Sequence, residues 1–550
     1  MSTIETSRWN DTWPAMRLES HFGDRVVRCF VDRPRSLHAL LANAAALHPQ
    51  REALVCGPER LTWQQLHDAS ARLAAGLAAR GVGVGDRVAM LIGNRSEFVT
   101  TLFAIAHLGA IAVPISIREQ TPGLRYMLND CAAVLVVHDA DLADRLPASA
   151  DLPSVHSRVS IGACIGSEEF NGLLAHPQQN GPTPVQEEDI AVIMYTSGTT
   201  GNPKGATLTN LGIVHSTIHY QAGMGLTEND ASIAAVPLSH VTGLVALVAT
   251  LARCAGKLVI MPTFKAADFL LLAARERMTH TLMVPAMYNL CLLQADFDAH
   301  DLTAWRVGAF GGAPMPVATI ASLAHKLPHL TLMNCYGSTE TTSPATLMPQ
   351  GDTAAHSDTV GRTLACAEIA VFDDAGREVK PGELGEIWIK GPMVVKGYWG
   401  NPGATAASFT GGFWHSGDIG SIDADGYVKV VDRMKDMINR GGYKIYTIEV
   451  ENVLYAHPSV LECAVVAKPC PVLGERVHAF VTLREGTASA STSTSSLNDA
   501  LKAFCAARLS DYKVPESFTL SEVPLPRNAN GKLVKRALRD QAAAITAARK

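Results

Sequence analysis

The chain has little unbalanced charge. Against 47 lysines and arginines stand 52 aspartates and glutamates, a formal net charge of −5 over 550 residues. Such a surface lacks the broad positive field that nucleic acid or an anionic membrane requires, although a local basic pocket is compatible with it. Paired cysteines are lacking too. The 11 cysteines are scattered singly from Cys29 to Cys505 without a CxxC pair. That excludes the common zinc spacings and speaks for a reducing compartment rather than a disulfide framework. No basic stretch followed by an apolar one opens the sequence, so no signal peptide is expected, and the cytoplasm is the expected location. One uncharged stretch, 98–117, is long enough to suggest a membrane span, but His107, Gly109 and Pro114 interrupt it. It reads as a helix to about Leu108, a glycine cap, and a buried strand over 111–115, leaving no transmembrane segment. The low hydrophobicity of disorder is also missing: 47% of residues are apolar and 18% charged. The chain is several times the size of a modal domain, so more than one sizeable core is expected.

An alternating pattern fills the region from Ser36 to about Met261. Helical periodicity over 36–48, 62–80 and 96–108 is followed by short apolar runs over 87–92, 111–115 and 133–137, with Gly and Asp at the joins. This predicts layered α/β structure. Gly81-Val-Gly-Val-Gly85 fails the dinucleotide spacing because Asp86 occupies its last position, so it reads as a helix-to-strand turn. From Val360 the texture changes. Strands are predicted over 368–372, 385–390 and 427–431, with turns at Asp373-Asp-Ala-Gly376, Pro381-Gly382 and Asp423-Ala-Asp-Gly426. They form a small antiparallel β subdomain. A basic, glycine-containing segment follows Asp432, then a mixed α+β region in which the Ser/Thr/Ala tract 488–496 reads as a solvated loop. The expected fold is α/β: a large N-terminal domain over 1–433 and a small α+β domain over 434–550.

The most specific local signal is Tyr195-Thr-Ser-Gly-Thr-Thr-Gly-Asn-Pro-Lys-Gly205, which follows an apolar run ending at Met194. Its glycines let the backbone curl so that several N–H groups face one anion. Thr196, Ser197, Thr199 and Thr200 add hydroxyls, and Lys204 adds a full positive charge. The composition is that of a phosphate cradle. It is not the common mononucleotide loop, since Pro203 stands where that motif needs glycine.

Further motifs follow in order: Val236-Pro-Leu-Ser-His240, Phe310-Gly-Gly-Ala-Pro314, Tyr336-Gly-Ser-Thr-Glu340, His415-Ser-Gly-Asp418, Asp432-Arg-Met-Lys-Asp436, Gly441-Gly442, and Pro526-Arg-Asn-Ala-Asn-Gly-Lys532. A planar ring at Tyr336 can stack on a base, Glu340 suits a hard cation, and Asp418 can accept two ribose hydroxyl bonds. Together these motifs resemble the adenylate-forming superfamily of acyl-CoA synthetases, peptide-synthetase adenylation domains and firefly-type luciferases, and the resemblance spans most of the chain.

The resemblance implies the following roles. Thr196, Ser197, Gly198, Thr199, Thr200, Gly201 and Lys204 hold the ATP phosphates. Gly311, Gly312, Ala313, Tyr336 and Gly337 frame adenine. Thr339 touches the α-phosphate, and Glu340, with Thr200, holds Mg²⁺. Asp418 and Arg433 hold the ribose, and Lys444 contacts phosphate in one state. Lys532 bridges the substrate carboxylate and the α-phosphate. Gly441 and Gly442 line the pantetheine path of CoA after the C-terminal domain turns about a hinge at Lys435. Where the family commonly has proline after Ile-Tyr, this chain has Thr447, which could serve as a helix N-cap.

The implied chemistry needs no protein nucleophile. A carboxylate attacks the α-phosphorus of Mg·ATP to give acyl-AMP and pyrophosphate, and a thiol then takes the acyl group, releasing AMP. The family's acyl pocket falls at His240, Leu244, Val245, Phe310 and Gly337. Amino-acid adenylation domains usually place an Asp after the aromatic or His position. Here Val241 follows His240, so a hydrophobic acid (fatty, aryl or alicyclic) is expected. The implied partners are that acid, ATP and CoA, in a monomer or a homodimer, with no nucleic acid. A ligase that loads an acyl carrier protein, or a non-catalytic nucleotide-binding protein on the same scaffold, are the alternative readings.

Overall fold

The computed structural model describes residues 13–178, 181–196, 202–484, 494–521, 523–527 and 533–547. The chain divides into two compact units. One comprises Met1–Met315, Thr319–Ile369 and Trp388–His415, the other Pro316–Ala318, Ala370–Ile387 and Ser416–Lys550.

The first unit contains two large, mostly parallel sheets. Their strands are short apolar runs such as Arg87–Leu91 and Ala231–Ala234, as expected where helices cover both faces. The seven-stranded sheet runs Lys204–Thr209, Ile190–Thr196, Ile111–Pro114, Arg87–Leu91, Leu135–Asp139, Ser157–Ile161, Glu168–Glu169. Only its first pair is antiparallel. The nine-stranded sheet runs Arg362–Thr363, Thr346–Leu347, Thr331–Tyr336, Val307–Gly311, His280–Met283, Ala231–Ala234, Lys257–Ile260, Glu52–Cys56, Glu59–Thr62, parallel in the middle and antiparallel at both ends.

Local chemistry sets the helix boundaries. Ser36 Oγ accepts the Ala39 N–H at 3.2 Å and caps Leu37–Leu47. Thr62 and Gln65 form a reciprocal capping box at the start of Trp63–Ala78. The uncharged stretch 98–117 resolves as predicted: helix Ser96–His107, Gly109 at φ +66°, then strand Ile111–Pro114. Among the described residues no helix is long and apolar enough to cross a membrane. One strand is displaced. The run expected at 133–137 is Leu135–Asp139, because Ala132 takes a φ of 47° to close the preceding turn.

Strands Glu368–Phe372 and Gly385–Lys390 form as predicted, and the run expected at 427–431 is Val428–Arg433. All three belong to one five-stranded sheet. Within the second unit lies another sheet, in which Gly474–Leu483 is flanked by Val460–Cys470 (antiparallel) and Ser517–Ser521 (parallel). Ile438, Ile445, Val450, Leu454, Val465 and Val481 are buried in its core. The tract 488–496 departs from expectation. Residues 494–496 open the helix Thr494–Ala506, because Leu497, Leu501 and Cys505 at i, i+4, i+8 give that segment an apolar face. Residues 488–493 lie outside the described residues.

Thr447 corrects a second expectation. Tyr446 is the N-cap of Thr447–Tyr455, with no side-chain cap bond, and Thr447 is the first helical residue. Its hydroxyl donates to Asp432 Oδ2 at 2.9 Å and accepts from Lys535 Nζ at 2.6 Å. Lys535 also pairs with Glu451 Oε1 at 2.7 Å, and Glu451 accepts the Val465 N–H at 2.8 Å. Burial works against the Lys535 ammonium, but Glu451 and Asp432 outweigh it and hold its pKa above the usual lysine range.

The packing around Lys535 and the burial of two histidines in the first unit each give a prediction. Lys535→Met leaves Glu451 as a buried, uncompensated carboxylate and lowers stability by about 3–5 kcal/mol. Urea denaturation with hydrogen exchange of Thr447–Tyr455 reads the loss, and Glu451→Leu in the same chain restores most of it. The second concerns pH. Burial pulls His215 and His280 down to about 4. Unfolded, each takes up a proton near pH 6.5, so stability present above that value is lost as pH falls toward 4. At pH 5 the loss is about 2 kcal/mol per histidine, and the urea midpoint falls accordingly between pH 7.5 and pH 5.

Candidate active site

The phosphate-cradle motif lies across a β-hairpin. Thr196 is paired with Lys204 and Tyr195 with Gly205, so the glycine-rich segment joins two hydrogen-bonded strands. Ser197, Gly198, Thr199, Thr200 and Gly201 lie outside the described residues. Gly205 is required sterically, since a Cβ there would come within 2.7 Å of Ile193 Cγ2 and 3.4 Å of Trp399 Cβ. The Lys204 ammonium sits 5.0 Å from the centre of the Tyr398 ring, at cation–π distance.

The motifs Phe310–Pro314 and Tyr336–Glu340 begin at the ends of neighbouring parallel strands of the nine-stranded sheet. Gly311 of Val307–Gly311 lies opposite Cys335 of Thr331–Tyr336. A Cβ on Gly311 would stand 2.5 Å from the Cys335 carbonyl oxygen. Gly312 turns with φ +76°, and Ala313 is exposed beyond it. This carboxyl edge of a parallel sheet is where α/β proteins commonly bind ligands. Tyr336 is half-buried at the strand end, and Gly337 is tightly enclosed, with Pro344 Cα and Thr341 Oγ1 each 3.1 Å from where its Cβ would be.

Thr339 and Glu340 are each 7% exposed. The Glu340 carboxylate accepts Ser338 Oγ–H at 2.6 Å and Tyr398 O–H at 2.9 Å. Its backbone carbonyl accepts the Val395 N–H at 2.8 Å. Among the described residues no lysine, arginine or histidine pairs with it. A mostly buried carboxylate without a cationic partner, and with lone pairs left over, has the chemistry of a hard-cation ligand.

His240 Nδ1 accepts the Thr242 N–H at 3.3 Å and lies 3.2 Å from Thr242 Oγ1, which places any ring proton of the neutral form on Nε2. The segment after it, Thr242–Ala249, is a π-helix, a form the apolar run does not reveal. Such turns recur at functional sites. Leu244 and Val245 on it are fully buried in the main core of this unit. Phe310 is buried among Met283, Tyr288 and Met315.

In the second unit, Asp418 and Arg433 lie opposite each other on paired antiparallel strands, and Arg433 Nε is 3.2 Å from Asp418 Oδ1. Ser416 Oγ shapes the turn, accepting the Asp418 N–H at 3.0 Å and donating to the Ile387 carbonyl at 2.6 Å. Lys435 is exposed, and its carbonyl accepts Arg539 Nη1 at 2.9 Å. Gly441 and Gly442, with φ of 59° and 95°, form the two-residue turn of the hairpin Ile438–Arg440/Tyr443–Ile445. Positive φ at both positions is what this turn demands. Lys444 is exposed on that hairpin opposite Asn439. Lys532 lies outside the described residues.

Lys204, Thr339 and Glu340 therefore gather in one unit, and Asp418, Arg433, Lys435 and the Gly441-Gly442 turn in the other. Ser338 and Tyr398 escaped sequence reading. Ser338 is inside a recognised motif without a role of its own, and Tyr398 is 58 positions from the carboxylate it bonds.

The AMP-binding enzyme family model matches residues 41–399, and the AMP-binding enzyme C-terminal domain model matches residues 449–532. Feruloyl-CoA synthase of Amycolatopsis sp is 34% identical over 92% of this chain and 98% of its own length. Long-chain-fatty-acid–CoA ligase FadD13 of Mycobacterium tuberculosis (strain ATCC 25618 / H37Rv) is 32% identical over 91% of this chain and 97% of its own. Among solved structures, the anthranilate CoA ligase AuaEII in complex with anthranoyl-AMP superposes with a TM-score of 0.87 at 26% identity, covering 94% of this chain and 99% of that one. With its motifs arranged as described and its sequence matched at this level, the chain belongs to the adenylate-forming AMP-binding enzyme family and is an AMP-forming acid–thiol ligase of the acyl-CoA synthetase type.

Proposed function

We propose that this ligase activates a hydrophobic carboxylic acid, fatty, aryl or alicyclic, and transfers it to CoA in the cytoplasm. The observation that carries the substrate class is the segment after His240. Residues 241–249 hold no charged side chain, and Leu244, Val245 and Leu247 are fully buried. No carboxylate there could hold a substrate amine. The names of the relatives, a feruloyl-CoA synthase, a long-chain fatty acid ligase and an anthranilate ligase, support the same class.

In this reading Thr196, the loop 197–201 and Lys204 bind the triphosphate. Gly311–Ala313, Tyr336 and Gly337 hold adenine, and Asp418 with Arg433 holds the ribose. Thr339 contacts the α-phosphate, and Lys444 touches phosphate in one of two states. Glu340 and Thr200 would hold magnesium, which supplies charge neutralisation at the phosphates. Lys532 brings the substrate carboxylate to the α-phosphorus. The carboxylate oxygen forms a bond to phosphorus as the bond to the pyrophosphate oxygen breaks. Orientation and charge stabilisation lower the barrier. The C-terminal domain then turns about Lys435, and the Gly441-Gly442 turn admits the CoA thiol. Its sulfur takes the acyl carbon, and AMP leaves.

A panel of carboxylic acids graded in length and ring content, assayed with Mg·ATP and CoA, tests this. Hydrophobic acids release pyrophosphate and yield AMP and acyl-CoA by mass. Turnover confined to amino acids or short polar acids would refute the substrate class, and acyl-AMP without thioester would replace CoA with a carrier-protein thiol. Lys532→Ala lowers acid-dependent pyrophosphate release by about 10²–10³-fold while retaining thioester formation from a supplied acyl-adenylate.

A further inference from the structure

Two charged groups of the phosphate site converge on one side chain that none of the recognised motifs contains. Tyr398 donates its phenolic hydrogen to Glu340 Oε1 at 2.9 Å, and the face of its ring lies 5.0 Å from Lys204 Nζ. The backbone fixes this position from both sides. Tyr398 bridges to Ala206, the Trp399 N–H donates to the Gly205 carbonyl at 2.7 Å, and Thr207 Oγ1 donates to the Gly397 carbonyl at 2.9 Å. Residues 397–399 are therefore in register with the strand that begins at Lys204. Three residues before Tyr398, the Val395 N–H donates to the Glu340 carbonyl at 2.8 Å, tying the same segment to the carboxylate's own backbone.

The chemistry of the two contacts is complementary. Ser338 occupies Oε2 and Tyr398 occupies Oε1, so the carboxylate cannot rotate and its remaining lone pairs keep one direction. Lys204 rests on the ring face. An ammonium bonded directly to Glu340 would compete with a cation for those lone pairs. A contact with the ring keeps the positive charge nearby and leaves the carboxylate available. A phenol keeps its proton at neutral pH, so Tyr398 is the donor in this contact.

We propose that Tyr398 is a positioning residue for the Mg·ATP step, orienting Glu340 toward the metal through its hydroxyl and seating Lys204 through its ring. The proposal rests on the reading of Glu340 as the magnesium ligand and Lys204 as a phosphate contact.

Calorimetric binding of α,β-methylene-ATP to the full chain, in EDTA and across Mg²⁺ concentrations, separates the parts without requiring the acid. Tyr398→Phe keeps the ring and loses the hydroxyl. Its gain in nucleotide affinity from Mg²⁺ falls by about 10-fold, whereas its affinity in EDTA stays within about twofold of wild type. Tyr398→Leu also weakens binding in EDTA, because Lys204 loses its seat. A merely structural role would lower both affinities of Tyr398→Phe together with its melting temperature, and that outcome overturns the proposal. A wild-type Mg²⁺ response in Tyr398→Phe overturns it as well. Glu340→Gln keeps the two readings apart. If it abolishes the Mg²⁺ response while Tyr398→Phe does not, only the role of Tyr398 falls. If it leaves the response intact, the assignment of Glu340 falls, and that of Tyr398 with it.

Discussion

Electrostatic repulsion between two anions is the constraint on which this architecture turns. Adenylation forces a carboxylate oxygen onto a phosphorus already surrounded by negative oxygens. The chain as a whole offers no help, because its formal net charge is −5. Compensation has to be local and held in place before the substrates meet. In the proposed reading, the hairpin that carries Lys204 meets this requirement in the first unit. Its register is fixed by the Thr196–Lys204 pair, and only glycine fits at 205. The nearby carboxylate of Glu340 is held by Ser338 and Tyr398 without a cationic partner among the described residues.

In the second unit, charged side chains are supported from behind by further hydrogen bonds. Asp418 and Arg433 face each other across paired strands. Immediately before Arg433, Asp432 is 1% exposed and is satisfied by Thr447, whose hydroxyl accepts from Lys535. One turn further along the same helix, Arg539 bonds Asp436 and the carbonyl of Lys435. The segment 432–436 is thus anchored at both ends by two cations on one helix face. Threonine in place of the family's common proline is part of this arrangement, since proline has neither the hydroxyl nor the N–H that Asp432 accepts.

Much of this was legible in the sequence because short-range chemistry determines it. The helical runs opening at Ser36 and Thr62 and the glycine cap at Gly109 are read from adjacent residues, and the structure has all three. The glycines, hydroxyls and lysine of 195–205 are contiguous, so the proposed phosphate cradle can be singled out from sequence alone. What escaped depends on contacts between distant positions. The π-helix Thr242–Ala249 looks like any apolar helical run, and its i→i+5 bonding leaves no composition signal. Tyr398 sits in an ordinary Gly-Tyr-Trp-Gly turn, and its role arises only when the fold carries it to Glu340 and Lys204. Thr447 reads locally as an N-cap, yet burial and the partners Asp432 and Lys535 assign its hydroxyl elsewhere.

If preorganised charge lets a carboxylate attack the α-phosphorus, that step must run reversibly before any thiol is present. The most direct measurement is exchange of labelled pyrophosphate into ATP by the purified protein, with Mg²⁺ and a hydrophobic acid but without CoA. Exchange that requires both the acid and Mg²⁺ is the expected result. Exchange independent of the acid, or conversion of ATP to ADP and phosphate instead, would contradict acyl-adenylate formation at this site.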